Sequence, residues 1–317
     1  MKHPIPTTVL AALFSMALSA SGATYTWHGG TDTDWTKSSN WVGNAKPPID
    51  GDNNVYGTDS NPTVIKIATT GSDPASNIPA FANKNGSDRT PHFEIENGAS
   101  LSIAMATGDW NGPTGTGTIV SVASGGNLTW TYGSSMILAR DGGAQTYDIS
   151  GNFSIALPSS NSLLIGDNDT ARVITMNLDG GNFALTASDL QGAKSPGQGG
   201  NHHSYVNLDN GSSWTSTGSL KNMWNDATNK TSPTLAFDFA DTSSSVTSAF
   251  GDDINSDSDL LYAISNGIFT STAGLTVVGS NNGDGTFTVT AVPEPSFSFL
   301  VAALAGLGLL CRRRGKL

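Results

Sequence analysis

The stretch Ile174-Thr175-Met176-Asn177-Leu178-Asp179-Gly180-Gly181-Asn182-Phe183-Ala184-Leu185-Thr186-Ala187 alternates apolar and polar residues on both sides of a glycine turn. Period-two alternation is the mark of a strand with one buried face, so it predicts two strands, one ending at Leu178 and one starting at Phe183. The unit recurs as Ile95-Glu96-Asn97-Gly98-Ala99-Ser100-Leu101, as Val122-Ala123-Ser124-Gly125-Gly126-Asn127-Leu128, and as Ile149-Ser150-Gly151-Asn152-Phe153. A looser copy is Leu208-Asp209-Asn210-Gly211-Ser212-Ser213-Trp214. Glycines 98, 126, 151, 181 and 211 stand 28, 25, 30 and 30 residues apart, a spacing that signals a repeat architecture. A shorter strand follows in two units, around Met136-Ile137-Leu138 and Leu163-Leu164-Ile165. Two or three short strands per repeat suit one coil of a right-handed parallel β-helix, whose stacked coils bury an apolar column that none buries alone. The alternative is an antiparallel β-sandwich, because Asn-Gly turns also make hairpins. A sandwich supplies no reason for a fixed period.

Working outward, composition supports an all-β chain. Glutamate and glutamine, both good helix formers, occur three times each among 317 residues, whereas Gly alone occurs 37 times. Five of the 15 basic residues (Lys2, Arg312, Arg313, Arg314, Lys316) and one of the 26 acidic ones (Glu294) lie in the terminal segments. The remainder holds 10 basic and 25 acidic residues, a net charge of -15 that leaves no basic surface for nucleic acid. The single cysteine, Cys311, sits in the last apolar run, so disulfides, thiolate metal sites and cysteine nucleophiles are excluded from the body of the chain.

Both ends read as addresses. Residues 1–23 carry Lys2, an apolar run from Val9 to Leu18, and the small residues Ser21 and Ala23 at the -3 and -1 positions, the layout of a signal peptide cut by signal peptidase. At the other end, Val292-Pro293-Glu294-Pro295-Ser296 precedes fifteen largely apolar residues, 297–311, and then Arg312-Arg313-Arg314-Gly315-Lys316-Leu317. As a helix those fifteen residues rise about 22 Å against a hydrocarbon core of about 30 Å, a marginal span whose arginines favour the cytoplasmic side. The prolines hold Pro293-Glu294-Pro295 extended at the opposite boundary.

This order of Pro-Glu-Pro, short apolar helix and arginine cluster resembles the PEP-CTERM sorting signal of Gram-negative bacteria. The resemblance covers about 25 residues and implies export across the inner membrane and transient anchoring through the C-terminal helix. It further implies processing by an exosortase at Pro293, Glu294 and Pro295 with Arg312, Arg313 and Arg314 retained inside, then delivery to the cell surface or extracellular matrix. Near the other end, Trp27-His28-Gly29-Gly30, Asp34-Trp35, Asn40-Trp41 and Pro47-Pro48 resemble the start of surface proteins carrying autotransporter-type β-strand repeats. The chain therefore divides into a signal peptide (1–23), a Trp-rich N-terminal cap (24–62), solenoid repeats (63–220), a C-terminal β cap (221–292) and a sorting signal (293–317).

Candidate sites are sparse. Trp27, Trp35 and Trp41 could stack sugars, or could cover the open end of the first coil. Asp253, Asn255, Asp257 and Asp259 place oxygen atoms at the alternating positions of a calcium loop, but Ser258 replaces the turn glycine and Ile264 the bidentate glutamate, so a solvated acidic loop is the plainer expectation. Asp167-Asn168-Asp169 reads as a turn. Polysaccharide-cleaving β-helix enzymes use a basic residue beside calcium-binding aspartates, and Arg140 with Asp141, or Arg172 with Asp169, could be fitted to that scheme. His202 and His203 lie in a Gly-rich loop without a third ligand at metal spacing. The sequence assigns no catalytic residues and no cofactor, with calcium as the only candidate. The expected role is a surface or matrix structural or adhesive solenoid whose partners are matrix polysaccharide or neighbouring surface proteins. The alternatives are a carbohydrate-active β-helix enzyme and a carbohydrate-binding module.

Overall fold

The structure, a computed structural model, describes residues 24–27, 38–44, 64–68, 92–105, 110–111, 117–138, 144–165, 173–192 and 203–294 apart from 227 and 229. The parallel pairing expected of a solenoid is what these residues adopt, and the sandwich alternative is excluded. Nine strands form a first face in which every neighbour is parallel. In order they are Thr24–Trp27, Val64–Ile67, His92–Ile95, Gly117–Val122, Gln145–Ile149, Ile174–Asp179, Ser204–Asp209, Leu235–Phe239 and Phe269–Thr270.

A second face stacks Ser100–Met105, Asn127–Tyr132, Asn152–Ala156, Asn182–Thr186 and the start of Ser213–Lys221. A third, narrower face stacks Trp110–Asn111, Met136–Ile137, Ser162–Leu164, Asp189–Gln191 and the end of Ser213–Lys221. In that last coil the corner between second and third faces straightens into one nine-residue strand.

The periodic glycines resolve into two columns with different duties. Ala99, Gly126, Gly151, Gly181, Ser212 and Ser244 occupy equivalent positions just before the second-face strands. A Cβ on Gly151 would lie 2.4 Å from the carbonyl oxygens of Ala123 and Gly126, and on Gly181 it would lie 2.2 Å from that of Ile149. These glycines let successive coils approach. Gly98 and Gly211 stand one position earlier, at φ of 74° and 77°, and meet no such backbone crowding.

Inside, the alternating apolar positions face one column. Trp130, Phe153, Phe183 and Trp214 follow one another at centroid distances of 4.9, 5.3 and 4.0 Å. The series continues to Phe237, Phe269 and Phe287 at 5.3, 5.5 and 6.2 Å. Such pairs contribute about 0.5–1.5 kcal/mol each beyond their buried area. Phe153, Leu178 and Phe183, the residues that the alternation assigns to the core, are each 1% exposed.

Parallel stacking runs past Lys221, where the glycine spacing ends, because Leu235–Phe239 and Ser245–Ala249 pair with the coil before them. Closure comes from an antiparallel hairpin, Thr276–Asn281 with Thr286–Val292, whose second strand covers Ser245–Ala249. One helix, α1 (Asp257–Ser265), packs on this hairpin through Leu260 and Ile264, which crowd Gly279.

Candidate functional site

The sequence-derived candidates are dispersed. Trp27 and Trp41 are both fully buried and meet edge-on at 5.3 Å, so neither offers a ring face to a sugar. The stacking platform is thereby corrected: both rings are core residues where the first strand ends, and Trp35 lies outside the described residues. Arg140, Asp141, Asp167, Asn168, Asp169, Arg172, His202, Pro295, Arg312, Arg313 and Arg314 also lie outside them, as do residues 1–23 and 297–317. Pro293 and Glu294 are exposed directly after the last strand. No helix among the described residues is long and apolar enough to cross a membrane.

The Asp253 to Asp259 segment does not wrap a common centre. Asp253 Oδ2 accepts from the Met223 backbone N–H at 2.8 Å, while Asp257 Oδ1 accepts from Asn281 Nδ2 at 3.0 Å. Ser256 is the N-cap of α1: its Oγ accepts from Asp259 N–H at 3.2 Å and donates to Asp259 Oδ2 at 2.6 Å, a reciprocal cap. The expected acidic loop is thus a turn at Asp253 that leads through Asn255 into the start of α1 at Asp257. Among the described residues no group of three or more His, Cys, Asp or Glu side chains is placed to hold a metal ion.

The same division of labour holds for other aspartates, which clamp one coil to the next. Asp241 Oδ2 accepts from Gly211 N–H at 2.7 Å and Oδ1 from Ser244 N–H at 2.7 Å. Burial pushes its carboxyl up, but these bonds and those from Ser243 outweigh burial and hold it below the usual carboxylate range. Asp189 behaves alike, with burial outweighed by hydrogen bonds from Ser188, Gln191 and Ser162. Asp253 differs: burial prevails over the Met223 bond and raises its carboxyl above the ordinary value.

One concave feature stands on the outer side of the first face, a groove of about 300 Å³ where the last three strands meet. Its apolar surface comes from Tyr205, Ala236 and Pro233. Tyr205 is 44% exposed, and its register partner on the next strand is only Ala236, which is too small to cover a ring. Polar walls come from His203, Asn207 and Asp238, with Thr270 and Thr272 behind them. None of the lining residues is Lys or Arg. The His203 Nδ1 lies 2.7 Å from the Pro233 carbonyl, which can only accept, so Nδ1 carries the proton and Nε2 remains for another partner.

Asn207 and Asp238 belong to one outward row of register partners that runs Glu94, Ser121, Asp148, Asn177, Asn207, Asp238, Thr270. Asn177 Nδ2 donates to Asp148 Oδ1 at 2.8 Å, and Asn207 Nδ2 donates to Asn177 Oδ1 at 2.8 Å. Asp238 accepts from Thr270 Oγ1 at 3.1 Å, Thr272 N–H at 2.8 Å and Thr272 Oγ1 at 2.6 Å.

Sequence reasoning reached His203 but not its neighbours. Their only signal is that they fall on outward positions of strands in register, and register between strands thirty residues apart is set by loop lengths. Searches of family models, curated proteins and solved structures find no match to this chain.

Proposed function

We propose that this chain is an exported structural or adhesive β-solenoid of the cell surface or extracellular matrix, without catalytic activity. In this reading Pro293, Glu294 and Pro295 with Arg312, Arg313 and Arg314 form the sorting signal cut by an exosortase. The supporting observation is the outward row from Glu94 to Thr270, which repeats one polar position from coil to coil on an uninterrupted parallel face. Stacked coils sharing backbone and amide hydrogen bonds make a rigid rod with a regular polar surface, suited to repeated weak contacts with a matrix. The aspartates described above are engaged by backbone or side-chain donors of strands, turns and the helix cap, which fits a scaffold better than proton-transfer chemistry. Fractionation and intact mass of the chain expressed in a Gram-negative host with its own exosortase test the reading. The expected product is a surface or medium form lacking residues 312–317. A mature mass retaining Arg312 to Leu317 in the membrane overturns the sorting assignment.

A further inference from the structure

The outward row contains a hydrogen-bonding conflict that no rearrangement within it removes. Four consecutive members of it have a carboxylate on either side, Asp148 and Asp238, and two amides between, Asn177 and Asn207. Three gaps separate these four side chains. Each amide turns its NH2 toward one neighbour and its oxygen toward the other, and a carboxylate brings acceptors only. If both amides point the same way, one end gap holds two acceptors; if they point apart, the middle gap does. Whichever way either amide turns, the count is the same. In the observed arrangement the two acceptors are Asn207 Oδ1 and the Asp238 carboxylate, and among the described residues no donor reaches Asn207 Oδ1. That gap opens on the groove.

We propose that the groove binds a single neutral sugar ring of a glycan. The ring lays its apolar C–H face against Tyr205 and donates neighbouring hydroxyls to Asn207 Oδ1 and Asp238. The site offers what such a ring needs: an exposed aromatic beside apolar Ala236 and Pro233, and two adjacent acceptors, of which Asn207 Oδ1 has no donor among the described residues and the Asp238 carboxylate, accepting three bonds, keeps lone-pair capacity for one more. The volume of about 300 Å³ lies at the small end for ligand pockets and suits one ring rather than a chain segment. Uronic acids are disfavoured, because the lining has a carboxylate and no Lys or Arg to neutralise a second one. His203 Nε2 supplies a further polar contact at the Pro233 end.

The inference deepens the adhesive reading and rests on it for the source of the glycan. Binding is measured on purified protein and export on cell fractions, so either can fail alone. The full-length chain, held in a detergent without a sugar headgroup, is probed by saturation-transfer NMR with methyl glucoside, methyl galactoside, N-acetylglucosamine, methyl mannoside and glucuronate, and separately with calcium chloride. At least one neutral sugar is expected to bind, and Tyr205→Ala and Asp238→Asn each to weaken it by about tenfold. Asp238→Asn replaces one of the two oxygens that accept from Thr270 and Thr272 with an NH2 that can turn to Asn207 Oδ1, so the sugar loses an acceptor; a cooperative melting transition in each variant checks that it still folds. The proposal is overturned if no neutral sugar binds, if binding survives both substitutions, or if glucuronate binds as well. It is equally overturned if calcium alone raises the melting temperature of the wild type and leaves that of Asp238→Asn unchanged.

Discussion

Replacing Gly181 by alanine tests the idea that the periodic glycines set coil spacing. The new Cβ would lie 2.2 Å from the Ile149 carbonyl oxygen and 3.1 Å from that of Gly151. An ordinary C···O contact is about 3.3 Å, so the coils must part locally by about 1 Å, against a strand spacing of about 4.8 Å. Two backbone bonds flank the site, Asn182 N–H to the Gly151 carbonyl at 2.8 Å and Ser213 N–H to the Gly181 carbonyl at 3.1 Å. Weakening both in a buried corner costs about 2–4 kcal/mol, which for a chain of this size lowers Tm by roughly 5–15 °C. Gly98→Ala is the control. Its Cβ would meet nothing within 4 Å, and its φ of 74° penalises alanine by about 1–2 kcal/mol. Urea unfolding of both variants decides between close approach and turn conformation as the reason for the repeat. A midpoint for Gly181→Ala no lower than that for Gly98→Ala would refute the close-approach argument.

Phe183 stacks on Trp214 at 4.0 Å and meets Phe153 at 5.3 Å, so Phe183→Ala should cost about 3–5 kcal/mol by denaturant unfolding, and an unchanged midpoint would contradict the aromatic column. Ser256→Ala removes both halves of the reciprocal cap of α1 and should cost about 1 kcal/mol, with amide exchange accelerating in the first turn of the helix; equal exchange rates would contradict the cap. Asp189 and Asp241 have carboxyls lowered in the folded state, so the unfolded chain takes up protons first on acidification. Their stabilisation is present above the ordinary carboxylate value and lost as pH falls through the folded ones. A melting temperature that declines below about pH 4, less steeply in Asp241→Asn, is the expected profile. Asp253 has the opposite sign: its raised carboxyl loses stability as pH rises through the folded value, so Asp253→Asn, which keeps an acceptor for Met223 N–H, should match or exceed the wild type at pH 7.

The strand pattern and the repeat were legible in the sequence because both are local. A buried face forces alternation at Ile174, Met176 and Leu178, and a crowded corner admits only glycine at 126, 151 and 181. The parallel choice followed from the period, since stacking like on like is what makes the same corner recur. Two local signals were less clear. The tryptophans read as either a sugar platform or a cover for the first coil because composition carries no burial, and Trp27 and Trp41 lie in the core. The acids from Asp253 to Asp259 read as one loop because a Ser-x-x-Asp cap and a cation loop share residue types, whereas the chain turns through Asp253 and becomes helical at Asp257. The groove belongs to the tertiary structure alone. Asn207, Asp238 and Thr270 sit on three strands separated by about thirty residues each, and only the lengths of the intervening turns bring them into register, with Tyr205 opposite Ala236 beside them. The acceptor conflict between Asn207 and Asp238 is likewise a property of the stacked row: each residue is unremarkable in its own strand, and the missing donor exists only when the coils lie one on another.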